Sequence, residues 1–66
     1  MVIEIKRDAS KEEVGAVIKK LQELGFAPEL DKNNVLRAPG GDFGFDPAIV
    51  KSLPGVLLVV TNQVLF

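Results

Sequence analysis

The chain contains no cysteine, no histidine, no tryptophan and no tyrosine. Without cysteine it has no disulfide to staple a small fold, and without histidine as well it lacks the two commonest zinc ligands. A serine or threonine nucleophile would have no imidazole to activate it. Charge of one sign is also scarce: 8 basic side chains stand against 9 acidic ones, a net charge of −1. A domain that grips a phosphate backbone normally carries a basic excess or stripe, so nucleic acid is not an expected partner. No apolar run approaches the roughly 18 residues of a membrane span, and no signal-peptide pattern opens the chain. These absences lead us to expect a cytosolic, non-enzymatic chain with no cofactor, no metal and no membrane partner.

What is present is enough for one small domain, residues 1–66. A chain of this size buries only about 60% of the surface its unfolded form exposes, so its core is thin. Small domains of this kind find further support in disulfides, metals or self-association. With the first two removed, self-association is the route left open.

Val2–Ile3–Glu4–Ile5–Lys6 alternates apolar and polar, the pattern of a strand with one covered face. Ser10–Lys11–Glu12–Glu13 reads as a capping box, and Val14, Val17, Ile18, Leu21 and Leu24 follow at helical spacing. Gly25 suits the left-handed residue that ends such a helix, with Phe26 folding back onto Leu21. Residues 26–30 read as a second strand, placed at a sheet edge because Pro28 has no amide hydrogen for a ladder. Asp31–Lys32–Asn33–Asn34 supplies turn chemistry, and Val35–Leu36–Arg37–Ala38 returns as a third strand. After a glycine-rich loop, Asp46–Pro47 reads as an N-cap with proline at the first helical position, opening a helix through Leu53. Val56–Leu57–Leu58–Val59–Val60 is a strand, and Thr61–Asn62–Gln63 provides a turn before Val64–Leu65–Phe66. The order β-α-β-β-α-β implies an α+β fold: a ferredoxin-like sandwich, with two helices on one face of an antiparallel sheet and the second and fourth strands at its edges.

The run from Val2 through Asp8–Ala9–Ser10–Lys11–Glu12–Glu13, then Val17–Ile18–Lys19–Lys20–Leu21 and Glu23–Leu24–Gly25–Phe26, resembles the N-terminal ferredoxin-like domain of DAHP synthases. Phe45–Asp46–Pro47 and Ser52–Leu53–Pro54–Gly55–Val56, with Val59–Val60, are similar to the second half of that domain. The resemblance implies a non-catalytic regulatory appendage, with phenylalanine or tyrosine as ligand class in some members. The catalytic barrel has no counterpart here, so synthase activity is not implied. Two departures stand out: Asp31–Lys32–Asn33–Asn34–Val35–Leu36–Arg37 differs from the family's usual turn, and Leu57 and Leu58 occupy positions that are commonly polar. Ligand-binding residues are therefore not carried over. A second reading is an engineered or selected stand-alone fold with no evolved biochemical role.

Several constellations are weighed against chemistry. Phe43–Gly44–Phe45 resembles the RNA-binding signature of an RRM, a domain of the same element order. The first strand offers no further aromatic, however, and Asp42 and Asp46 flank the phenylalanines where basic residues would help. The expectation is that Phe43 and Phe45 pin a loop to the core. Asp42 and Asp46 lack the alternating oxygen ligands of a calcium loop and read as a turn residue and a helix cap. Gly40–Gly41 has the composition of an anion-binding nest, but two glycines after a proline more simply make a turn. Neither Glu12 with Glu13 nor Glu29 with Asp31 has the apolar surroundings that would tune a carboxylate for proton transfer. Gly15, on the flank of the first helix, reads as a surface residue that costs the helix about 1 kcal/mol relative to alanine.

The C-terminal strand carries more weight. Val56–Val60 shows no alternation, so apolar side chains leave both faces of a strand expected at a sheet edge, where natural proteins usually blunt the ladder. Val56, Leu57, Leu58, Val59, Val60 and Phe66 are therefore the expected interface residues of a homo-oligomer, a dimer through the C-terminal strand.

Overall fold

A computed structural model describes residues 1–40, 46–61, 64 and 65. Its elements run β1 (Val2–Ile5), α1 (Lys11–Glu23), β2 (Glu29–Leu30), β3 (Val35–Arg37), α2 (Pro47–Lys51), β4 (Val56–Thr61) and β5 (Val64–Leu65). The fold is α+β, with both helices against an antiparallel sheet of order β2-β3-β1-β4-β5.

Local chemistry sets both ends of α1 and the start of α2 where the sequence places them. The Ser10 hydroxyl accepts from the Glu13 amide at 3.1 Å, and the Glu13 carboxylate accepts from the Ser10 amide at 2.9 Å. At the other end Gly25 is left-handed at φ 89°. The Phe26 amide donates to the Leu21 carbonyl and the Gly25 amide to that of Gln22, the paired bonds of a Schellman motif. Phe26 and Leu21 are both buried, as that fold-back requires. Asp46 caps α2 through the Ala48 amide at 3.0 Å, with Pro47 in its first turn. The helix stops at Lys51, shorter than expected, because Ser52 caps it and the Leu53 amide turns back to the Val50 carbonyl.

The second strand is also shorter than its sequence pattern. Only Glu29–Leu30 forms β2, while Phe26 makes an isolated bridge to Gly40. The amides of Ala27 and Asp31 donate toward the third strand, to Pro39 and Val35, so the intervening Pro28 faces away from the ladder. Its missing N–H therefore falls on the open edge, the one place a strand tolerates it. Between β2 and β3, Asp31 accepts from the Asn33 amide at 2.8 Å and from Val35 at 3.3 Å. Asn34 takes the left-handed conformation at φ 59°, which asparagine tolerates, and its carbonyl accepts from the Ile5 amide. The turn is thereby tied to β1. The third strand ends at Arg37 rather than Ala38, although the Ala38 amide still reaches the Met1 carbonyl.

The core lies on the helix side. Ile3 sits between Leu36 and Val59 in the ladder, and all three are wholly buried. Ile5 and Val56 form the next pair, and Val17 and Leu21 of α1 with Val50 of α2 close over them. Gly15 lies on the exposed flank of α1, and a Cβ added there would meet nothing within 4 Å. Alanine at this position should raise stability by about 0.5–1 kcal/mol, from helix propensity alone. Paired urea melts of the parent and Gly15→Ala, with unchanged m-value, measure it.

One expectation about β4 is corrected. It is not an edge strand, because β5 pairs with it through Val60 with Leu65 and Thr61 with Val64. Apolar side chains do leave both of its faces, Val56 and Val59 toward the core and Leu58 and Val60 toward the open side, and a β-bulge interrupts the alternation between them. The register against β1 passes from Glu4–Leu58 to Ile5–Val56, leaving Leu57 as the extra residue. Val56 and Val59 therefore both reach the core although they stand three positions apart, a spacing that strict alternation would put on opposite faces.

Candidate functional site: the open face of the sheet

Cross-strand partners share a face of a sheet, so the ladder reads out the side opposite the helices. One row crosses all five strands: Glu29, Arg37, Val2, Val60 and Leu65. A second row contains Val35, Glu4 and Leu58. None of these residues is buried where its side chain is described, in contrast to the fully buried row of Leu36, Ile3 and Val59 beneath. Leu65 is 67% exposed and Val2 38% exposed.

The face is divided. Apolar groups gather around β4, with Leu58 and Val60 on the strand itself, Val2 on the β1 side and Leu65 on the β5 side. Charge gathers toward β2, with Glu29 and Arg37 in neighbouring strands. Glu4 lies on β1 beside Leu58.

The residues expected at an interface separate accordingly. Val56 and Val59 belong to the core, Leu58 and Val60 lie on the open face, and Leu57 is half exposed at the bulge. Phe66 lies outside the described residues. Val2 and Leu65 were not among the expected interface residues. Strict alternation puts Val2 opposite to Ile3, which is a local signal; Leu65 joins the row only through its pairing with Val60.

The edge below β5 is guarded by one cation. Lys51, in the last turn of α2, donates from Nζ to the Leu57 carbonyl. A lysine on an exposed ladder is a common device against edge-to-edge pairing.

The other candidate groups are structural. Glu13 and Asp46 serve as helix caps, and Gly40, at φ 84°, is the bridge partner of Phe26. Glu12 lies exposed in the first turn of α1, where a carboxylate suits the helix dipole. Gly41, Asp42, Phe43 and Phe45, which carried the nest, calcium and RNA readings, lie outside the described residues. Glu29, Leu30, Asp31 and Arg37 line a shallow cleft of about 210 Å³ at the β2 edge. There the Arg37 guanidinium is 4.0 Å from the Asp31 carboxylate, and the arginine side chain is three-quarters exposed.

Among the described residues no polar or charged side chain is buried, and no three acidic, histidine or cysteine residues are grouped to hold a metal. No helix among them is long and apolar enough to cross a membrane. Comparison with protein-family models, with curated proteins and with solved structures returned no match.

Proposed function

We propose that the chain is a non-catalytic regulatory or interaction module of the ferredoxin-like class, like the DAHP synthase domain it resembles. It acts through self-association and through binding of an aromatic amino acid. The strand order β2-β3-β1-β4, with α1 following β1 and α2 following β3, supports the ferredoxin-like assignment. In that assignment β5 is an addition to the β4 edge.

The observation that carries the functional reading is the sheet face opposite the helices, where Val2, Leu58, Val60 and Leu65 form an apolar surface that no described helix shields. An apolar sheet face is a surface for contact. Titration with phenylalanine and tyrosine during thermal melting tests the regulatory role. A ligand bound only by the folded state stabilises it by about 1.4 kcal/mol at ten times its Kd. For a domain of this size that is a rise of roughly 5–10 °C in Tm.

A flat response to millimolar ligand would favour the second reading, an engineered or selected stand-alone fold. What favours that reading is the agreement of local signals along the chain: the Ser10–Glu13 capping box, the Gly25 Schellman end, the Asp46–Pro47 helix start and the Asp31 turn.

A further inference from the structure

We infer that the open sheet face packs against the same face of a second copy, about a two-fold axis running along β4. The inference deepens the self-association part of the proposed function and rests on it.

The distribution of side chains selects both the partner and the axis. Rotation about a line parallel to β4 lays β4 on its own copy and exchanges β1 with β5 across the interface. Val60 then meets Val60 of the partner subunit, Leu58 meets Leu58 of the partner subunit, and Val2 on one flank meets Leu65 of the partner subunit. The apolar groups of β1, β4 and β5 on this face each find an apolar group, while Val35, on β3, lies outside the contact. The charged side behaves differently. Arg37 and Glu29 stand two and three strands from β4, while on the other side β5 is the only strand among the described residues. They overhang the partner's β5 and remain in water. Glu4 lies at the flank, in the Leu58 row on β1.

A two-fold across the strands would instead lay β1 on β1 and β3 on β3 of the copy. That arrangement presses Glu4 and Arg37 against valines and strips their water, which is costly for an unpaired charge. Edge pairing through β4, the simplest alternative, is blocked by β5 and by Lys51 on the Leu57 carbonyl. Self-complementary apolar flanks with charge confined to the rim are what an isologous interface requires, and a patch of a different partner has no reason to match this symmetry.

The contact spans three strands, about 14 Å at ordinary strand spacing. Its area falls below that of standard stable complexes, so the dimer is weak and concentration-dependent.

Sedimentation equilibrium from about 1 μM to 1 mM should therefore show monomer at the low end and a dominant dimer at the high end. Val60→Lys should hold the chain monomeric throughout, with an unchanged far-UV spectrum. Ile49→Lys, an exposed apolar residue on α2, should leave the association as it is. Because the chain has no native cysteine, single thiols report the axis. Leu58→Cys should be joined to its copy by a short bismaleimide, and Arg37→Cys should not. If Leu58→Cys folds poorly, Val60→Cys makes the same test. A chain that stays monomeric at millimolar concentration overturns the proposal. So does a dimer that survives Val60→Lys, or one that joins Arg37→Cys as readily as Leu58→Cys. These measurements use no ligand. A flat amino-acid titration with a cross-linked β4 dimer sinks the regulatory role alone, and the reverse result sinks the interface alone.

Discussion

Replacing Ile3 by alanine should remove a large part of the stability of the domain, about 2–5 kcal/mol. Ile3 occupies the middle of β1, the strand with β3 on one side and β4 on the other. It pairs with Leu36 and Val59, and all three side chains are wholly buried beneath Val17, Leu21 and Val50. Truncating an isoleucine in such a place removes its transfer energy and leaves a cavity that the sheet backbone cannot close, at a cost of about 2–5 kcal/mol. At typical stability per residue, a chain of 66 residues has roughly 3–10 kcal/mol in all. The substitution therefore takes a large part of the whole. Leu65→Ala is the comparison, since Leu65 is mostly exposed and its loss should change monomer stability by about 0.5 kcal/mol or less. Urea melts at micromolar protein keep self-association out of both measurements. Equal midpoints for the two variants would mean that Ile3 does not occupy the core.

The contrast between these residues also marks how far the sequence could be read. Helix ends were legible because each depends on groups within a few residues of one another: the Ser10 hydroxyl and Glu13 amide, Gly25 and the two carbonyls behind it, Asp46 and the Ala48 amide. The inward side of β1 was legible for the same reason, since parity along four residues separates Ile3 and Ile5 from Glu4. The bulge at Leu57 was not. Five consecutive aliphatic residues read alike in either register, and only the pairing of Glu4 with Leu58 and Ile5 with Val56 decides which of them is extra. That decision is made by a strand more than 50 positions earlier. Taking the whole run as an interface includes Val56 and Val59, whereas both are buried in the core and only Leu58 and Val60 reach the open face. The open face was half visible. Leu58 and Val60 could be picked out from their own strand, but the row from Glu29 to Leu65 joins residues from five strands and exists only once the register is fixed.

Of Gly15, Gly40 and Gly55, the last is where a single added methyl group should do most damage. It ends the turn between α2 and β4, and its carbonyl accepts from the Lys6 amide at 2.8 Å, fastening that turn to the end of β1. Two independent features exclude a side chain. Its φ of +89° lies in the region that L residues rarely adopt, a strain worth about 1–3 kcal/mol. A Cβ built there would stand 3.1 Å from the Cβ of Ala9 and 3.3 Å from that of Glu13. Neither neighbour can swing aside, because a Cβ moves only with its backbone, and Glu13 is held by both bonds of the capping box. Gly40 separates the two effects. It has nearly the same φ, +84°, but a Cβ there meets only the Gly25 carbonyl oxygen at an ordinary 3.7 Å. Gly40→Ala should cost the conformational strain alone, about 1–3 kcal/mol, and Gly55→Ala should cost more. Part of the excess should appear as fraying at the start of α1, since relieving the contact means pushing Ala9 and Glu13 outward. Amide exchange of Glu13 and Val14 reads that local opening directly. Faster exchange at these amides in Gly55→Ala than in Gly40→Ala, at matched global stability, is the expected result. Equal costs and equal exchange would mean that α1 and the turn at Gly55 do not approach as closely as their Cβ distances require.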